Sequence, residues 1–138
     1  SPLLLVGRQA LPLDPGPGLA RILVALDGSR AVASILPFVV DLARPSNAEV
    51  LLTHVKRSAD EPSADLDAAR ERLRQEDVER VRVIQATGDV APALLDVARR
   101  EAVDLLALGA RGGTVGGGLG SVARAVALRS DCPLLIVR

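Results

Sequence analysis

The stretch Arg21-Ile-Leu-Val-Ala-Leu-Asp-Gly-Ser29 decides the fold of this 138-residue chain. Its first part is almost entirely aliphatic, which is typical of a strand buried on both faces of a parallel sheet. Asp27 and Gly28 then interrupt the apolar run, and Ser29 is a suitable N-cap for a helix that runs to about Ala43. A buried strand that passes directly into a helix predicts one unit of an α/β fold.

The same strand–helix pattern repeats along the rest of the chain. The predicted strands are residues 21–26, 50–55, 81–86, 104–108 and 133–137, and the predicted helices are 29–43, 63–76, 89–102 and 120–129. Asp89 is the expected cap of the third helix. Such alternation calls for parallel strands joined by right-handed crossovers. We therefore predict an α/β fold with a doubly wound five-stranded parallel sheet and helices on both faces. The strand order 3-2-1-4-5 would make the first and fourth strands neighbours at the point where the winding reverses.

Residues 1–19 stand outside this cycle, so we divide the chain into 1–19 and a domain at 20–138. The segment 11–18 is a Pro/Gly linker that cannot form a central strand. Before it, Ser1-Pro-Leu-Leu-Leu-Val6 nearly copies Cys132-Pro-Leu-Leu-Ile-Val137. Chance similarity of short aliphatic strands is one explanation. The other is that residues 1–6 are the last strand of a preceding homologous domain, which predicts antiparallel pairing of residues 3–6 with 134–137, in the same chain or a symmetry mate.

Composition excludes several classes of function. Lys plus Arg and Asp plus Glu both number 17, and Phe38 is the one aromatic residue, which argues against nucleic acid and anionic membranes as partners. Apolar runs fall short of the ~18 residues that a membrane span needs. Cys132 is the one cysteine and is expected to be a small buried hydrophobe. With no recognisable signal peptide, we expect a cytoplasmic protein.

Two strand ends carry residues suited to a ligand. Asp27 follows the first strand, and Gly109-Ala-Arg-Gly112 follows the fourth, so the order 3-2-1-4-5 brings both to one crevice. Gly120-Ser121 at the start of the last helix supplies backbone N–H groups and a positive dipole end for phosphate. A plain Gly-rich turn is the alternative, because the stretch has neither the P-loop nor the dinucleotide pattern.

Individual polar residues each have two interpretations. Asp27 is either a local cap or a carboxylate that meets ribose hydroxyls or a magnesium ion. His54 lacks a second ligand nearby and is expected to be a packed or edge histidine. Arg111 either neutralises phosphate or is solvated. Ser29 and Ser121 have no evident general base, so the sequence does not predict nucleophilic catalysis.

Taken together, these motifs resemble the universal stress protein family. The similarity covers residues 21–138 in order, and it rests on the following segments: Ile22–Ser29, Leu52–Val55, Gly88-Asp89, Asp104–Gly112, Leu119–Val122 and Cys132–Val137. The family fold is a parallel sheet of order 3-2-1-4-5. The family commonly dimerises through its last strand, which implies a homodimer or tandem pseudo-dimer at the 133–137 edge.

Some members of that family bind ATP, and those carry G-x-x-G, nine residues, then G-[S/T]. The resemblance implies a nucleotide site that comprises Ala25, Asp27, Val55, Leu108, Gly109, Gly112, Gly120, Ser121 and Val122, with Asp27 as a possible magnesium contact. This chain has seven residues between Gly112 and Gly120, which shortens the loop by about 7 Å when extended. The resemblance therefore implies an ATP-binding regulatory module in the stress response, with at most slow ATP hydrolysis. The short loop leaves a nucleotide-free dimerisation or scaffold domain as the alternative.

Overall fold

The computed structural model describes residues 3–6, 20–26, 29–45, 47–56, 66–109, 121–130 and 133–137. Within these ranges the elements, in chain order, are β1 (Leu3–Val6), β2 (Arg21–Ala25), α1 (Ser29–Ala43), β3 (Glu49–Lys56), α2 (Leu66–Gln75), β4 (Val81–Thr87), α3 (Val90–Arg100), β5 (Leu105–Gly109), α4 (Ser121–Arg129) and β6 (Leu134–Val137). The five predicted strands are β2 to β6. Every predicted strand and helix is present, and the ends that lie among the described residues differ from the predicted ones by at most two residues.

All six strands form one sheet in the order β1-β6-β5-β2-β3-β4. Strands β2 to β6 are mutually parallel, so their order is the predicted 3-2-1-4-5. The extra strand β1 pairs antiparallel with β6, with Leu3 opposite Val137 and Val6 opposite Leu134. The predicted pairing of residues 3–6 with 134–137 is therefore confirmed, and it occurs within one chain.

Strand burial follows position in the sheet. The central strands β2, β3 and β5 are buried along most of their length, as expected for strands covered on both faces. Edge strand β4 instead alternates between half-buried and exposed residues at its start, the pattern of a strand with one solvated face. This difference explains why the central strands are continuous aliphatic runs in the sequence.

Helices cover both faces of the sheet and form two cores. The α1/α2 core joins residues of α1 and α2 to alternate strand residues, among them Ile22 and Val24 of β2. The α3/α4 core joins α3 and α4 to the intervening residues, among them Leu23 of β2 and Leu106 of β5. A doubly wound sheet requires this division, because successive strand side chains point to opposite faces.

The amino ends of β2 and β5 are joined by polar contacts. A carboxylate oxygen of Asp104 accepts hydrogen bonds from the backbone N–H of Ala20 at 2.8 Å and of Arg21 at 3.1 Å. The Asp104 N–H in turn donates to the Arg21 carbonyl at 2.9 Å. The Arg21 guanidinium also donates to the Glu101 carbonyl at 2.6 Å. These bonds hold the start of β2 in register at the end of the sheet opposite the predicted site.

A second group of charges connects the amino ends of β3 and β4. Arg82 forms ion pairs with Glu49 at 3.4 Å and with Glu101. The hydrogen bond that Arg82 donates to the Glu101 carboxylate raises the pKa of the Arg82 guanidinium above its ordinary value. Because these side chains are partly or largely solvated, their contribution to stability is screened by water.

The helix ends require two changes to the sequence-based expectations. Asp89 does occupy the N-cap position of α3, with φ −72° and ψ 134°, but its side chain makes no capping hydrogen bond. The helix ends at Arg100 rather than Ala102, because Ala102 has a positive φ of 51° that a helix cannot accommodate. Residues 63–65 of the predicted second helix lie outside the described residues.

Candidate functional site

The candidate site lies where the winding of the sheet reverses. Strands β2 and β5 are neighbours, with Ala25 registered to Leu108 at their carboxyl ends. The helix after β2 packs in the α1/α2 core, whereas the helix after β5 packs in the α3/α4 core. The two connections therefore leave toward opposite faces, which opens a crevice beyond the carboxyl ends of β2 and β5.

An aliphatic wall borders this crevice on the α3/α4 face. Three residues predicted for the site, Ala25, Val55 and Leu108, all belong to or pack against the α3/α4 core. Leu108 and Val55 are buried, and Ala25 is half-buried at the end of its strand. A small half-buried residue between two buried ones leaves room for a flat apolar group, since nothing larger than a methyl extends from Ala25.

Backbone groups of β3 continue past the end of β2. The β2–β3 register ends with Ala25 opposite Thr53, followed by a hydrogen bond from the Leu26 N–H to the Thr53 carbonyl at 2.8 Å. Strand β3 itself continues to Lys56. Val55 therefore lies beyond the residues that β2 registers with, which brings its main chain to the crevice edge where a ligand can reach backbone donors and acceptors.

The phosphate side of the predicted site begins at two described positions. Gly109 is the last residue of β5 and is registered with Val137 of β6. Ser121 is the first residue of α4, and Val122 follows within its first turn. A helix of this length presents free backbone N–H groups at its start, which is the feature that attracts an anion.

The remaining predicted site residues, Asp27, Gly112 and Gly120, lie outside the described residues, as do Arg111 and Cys132. Their roles in the site stay predictions. Among the described residues, no group of three or more His, Cys, Asp or Glu side chains could hold a metal ion. The predicted magnesium contact at Asp27 accordingly depends on residues beyond those described.

His54 is packed rather than exposed to the crevice edge. It is 8% exposed, lies two residues before the end of β3, and is registered with Gln85 of β4. Of the two predicted environments, packed or at an edge, the structure shows the packed one. Ser130 is likewise 3% exposed.

Sequence reasoning overlooked the β4 side of the aliphatic wall. Ala86, registered with Val55, and Val90 at the start of α3 both pack against the α3/α4 core. Between them Gly88 has a φ of +117°, and its N–H donates to the Lys56 carbonyl at 2.8 Å. Gly88 is the residue from which this turn could have been predicted, because a strand-to-helix turn that needs positive φ favours glycine. This turn holds the carboxyl ends of β3 and β4 together beside the crevice.

Two shallow cavities lie elsewhere. One of about 280 Å³ is lined by Arg70, Arg74, Val78, Glu79 and Val81, and one of about 220 Å³ lies between the ends of α3 and α4 near Arg99 and Arg129. Both are at the amino end of the sheet. Within the described ranges, no helix has both the length and the apolar character that crossing a bilayer demands.

Comparison with known proteins agrees with the fold. The model of the universal stress protein family matches residues 18–138. A curated relative, universal stress protein YxiE from Bacillus subtilis (strain 168), is 31% identical over 145 residues, covering 86% of this chain and 98% of the relative.

Solved structures give the same result. A universal stress protein in complex with cAMP aligns with a TM-score of 0.76 and 27% identity, covering 88% of this chain and 98% of that one. A universal stress protein from Archaeoglobus fulgidus in complex with dAMP aligns with a TM-score of 0.66 and 20% identity, covering 88% and 99%. At 20% identity, the similarity to the dAMP complex shows a shared fold alone.

Proposed function

Because this chain belongs to the universal stress protein family, we propose that it binds ATP or another adenosine nucleotide at the carboxyl ends of β2 and β5 and acts as a regulatory module in stress response. The observation that carries the proposal is the common position of Ala25, Val55 and Leu108 on one face of the crevice. A universal stress protein of the same fold that is 27% identical to this chain was solved with cAMP, which also contains adenine.

In this proposal the base packs on the aliphatic wall. Ala25, Val55 and Leu108 contact the adenine through methyl groups and main chain, since the chain's single aromatic residue, Phe38, packs against the α1/α2 core. Recognition by backbone hydrogen bonds and aliphatic contacts is sufficient for a nucleotide site. The Val55 backbone is the natural partner for the polar edge of the base.

The sugar and phosphates extend toward the glycine-rich loop. Asp27 accepts hydrogen bonds from the ribose hydroxyls or meets Mg²⁺ that accompanies the nucleotide. The backbone at Gly109, Gly112 and Gly120 approaches the phosphates closely, and the α4 terminus at Ser121 and Val122 supplies N–H donors. These roles follow the family resemblance, position by position. The sequence identifies no activated nucleophile, so turnover is not part of the proposal.

The alternative function is a nucleotide-free dimerisation or scaffold domain. The specific observation in its favour is the loop length, with seven residues from Gly113 to Leu119 where the ATP-binding pattern has nine. A loop shorter by about 7 Å when extended encloses a triphosphate less completely. Affinity for AMP would suffer less from this shortening than affinity for ATP.

A thermal-shift series distinguishes the two functions. Any ligand of the native state raises the stability, by about 2.7 kcal/mol at one hundred times its Kd. We expect ATP with Mg²⁺, ADP and AMP to raise the Tm, and GTP to raise it much less. A flat response to millimolar adenosine nucleotides would support the scaffold function instead.

The assembly partner belongs to the same proposal. The outer edge of the last strand is where a second domain of this family would pair, either as a homodimer or as a tandem pseudo-dimer, and β1 occupies that edge in this chain. The antiparallel β1–β6 pair within this chain supports a strand-pairing role for that edge. The preceding homologous domain and the cytoplasmic location both stay predictions.

A further inference from the structure

The register between β1 and β6 has a special symmetry. Its Cα partners are Leu3 with Val137, Leu4 with Ile136, Leu5 with Leu135 and Val6 with Leu134. If β1 were replaced by a second β6, residue for residue, the pairs would be 134 with 137 and 135 with 136. Each pair then occurs twice, which is the arrangement that a two-fold axis generates in an isologous contact.

The sequence of β1 agrees with this substitution. Pro2-Leu-Leu-Leu-Val6 and Pro133-Leu-Leu-Ile-Val137 differ at one position, Leu5 against Ile136. A strand that nearly copies β6 therefore lies on β6, in the register that a second β6 would adopt. Because backbone ladders carry most of the pairing in such a contact, the two strands should bind this edge with similar intrinsic strength.

The connection to the domain allows β1 to dock on its own chain. Val6 is opposite Leu134, at the amino end of the sheet, and β2 begins at the same end with Arg21. The order β1-β6-β5-β2 separates them by roughly 14 Å at the usual strand spacing. Residues 7–19 can extend over about 40 Å, so the length of this segment is sufficient to cover the distance.

Tethering gives β1 an advantage over a free competitor. A strand joined to its binding edge by a short linker in the same chain has an effective concentration of about a millimolar, against micromolar for a second molecule in solution. We propose that β1 occupies the β6 edge in place of the β6 of a second copy of this chain. Docked β1 keeps the chain monomeric at this edge, and displacement of β1 permits antiparallel β6–β6 pairing of two copies.

The first test removes β1 from the edge without shortening the chain. In an antiparallel pair alternate residues donate to the neighbour, so Leu4→Pro together with Leu5→Pro deletes at least one ladder N–H. The described residues of both cores lie between Ile22 and Leu135, so the domain should stay folded, which circular dichroism checks. Sedimentation at about 50 μM should show a monomer for the unaltered chain and a dimer for the double variant. A monomeric double variant, or a dimeric unaltered chain, overturns the proposal.

The second test locks β1 in place. Leu4→Cys and Ile136→Cys, in a Cys132→Ser background, put two thiols at directly opposed positions with a Cα separation suited to a disulfide. Oxidation should produce a cross-link within one chain and a monomer at every concentration. A cross-link between two chains would show exchange of β1 and would contradict docking on its own chain. Neither experiment involves nucleotide, so both outcomes are independent of the proposed function.

Discussion

Ala25, the last residue of β2, is registered with Leu108 of β5 across the point where the helical connections diverge to opposite faces. The two residues lie on the α3/α4 face together with Val55 of β3. A half-buried alanine at such a position leaves space that a larger side chain would fill. A substitution at Ala25 should therefore change nucleotide affinity more than it changes the stability of the fold.

Ala25→Leu should weaken nucleotide binding more than it weakens the fold. The added carbons extend from the wall into the space proposed for the base, and we expect the Kd for ATP to rise at least about 10-fold, equivalent to about 1.4 kcal/mol. Fluorescence or calorimetric titration measures the change. Ala68→Leu makes the same substitution on the exposed face of α2 and should leave the Kd unaltered. An unchanged Kd in Ala25→Leu would place the base elsewhere.

Lengthening the glycine-rich loop tests whether its spacing limits triphosphate binding. Insertion of two residues between Gly116 and Gly117 restores the nine-residue spacing between Gly112 and Gly120. We expect the affinity for ATP to increase relative to that for AMP, because the β- and γ-phosphates of ATP would extend further along this loop than the single phosphate of AMP. A ratio of ATP to AMP affinity that does not move would show that loop length is not the limiting feature.

Asp104→Ala should destabilise the domain without affecting nucleotide affinity. It removes the acceptor for the N–H groups of Ala20 and Arg21 at the amino end of the sheet, far from the crevice. We expect a loss of about 1 kcal/mol in the free energy of unfolding, measured by urea denaturation. Asp96→Ala deletes an exposed i,i+4 ion pair with Arg100 and should change it by less than about 0.5 kcal/mol. Equal losses of unfolding free energy in both variants would argue against a stabilising role for the hydrogen bonds between Asp104 and the start of β2.

Two leucines on the α3/α4 side of the sheet should differ in their contribution to the free energy of unfolding, because they differ in burial. Leu106 is 0% exposed in the α3/α4 core, whereas Leu128 on α4 is 71% exposed. Leu106→Ala should cost about 2–5 kcal/mol through lost burial and a cavity. Leu128→Ala should stay within about 0.5 kcal/mol. Chemical denaturation of both variants checks the difference, and a large loss in Leu128→Ala would reveal a contact beyond those described.

The strands could be predicted because they depend on local patterns, whereas their order was predicted from the position expected for a ligand site and from the family resemblance. A run such as Ile22–Leu26 is aliphatic because both of its faces are buried, and the polar residues that follow mark a turn into a helix. The β1–β6 pairing was predictable for another reason, since the two strands share nearly one sequence. In both cases a short stretch of sequence contains the whole signal.

Other features depend on contacts between distant residues and left little trace in the sequence. Ala86 and Val90 join the aliphatic wall only because β4 is registered with β3 so that Ala86 lies opposite Val55. Asp89 is a good capping residue by type, yet its side chain makes no capping hydrogen bond. Residue identity indicates a capacity for such contacts, while the tertiary structure decides whether they form.

The most direct measurement of the central claim is isothermal titration of ATP with Mg²⁺ into the unaltered chain and into Asp27→Asn, with Asp41→Asn as the control. Asp41 is exposed on α1, so its substitution repeats the loss of charge away from the crevice. We predict one ATP per chain, a Kd raised at least about 10-fold by Asp27→Asn, and no change in Asp41→Asn. Absence of binding to the unaltered chain at millimolar ATP, or equal binding by all three proteins, would contradict a nucleotide site at the carboxyl ends of β2 and β5.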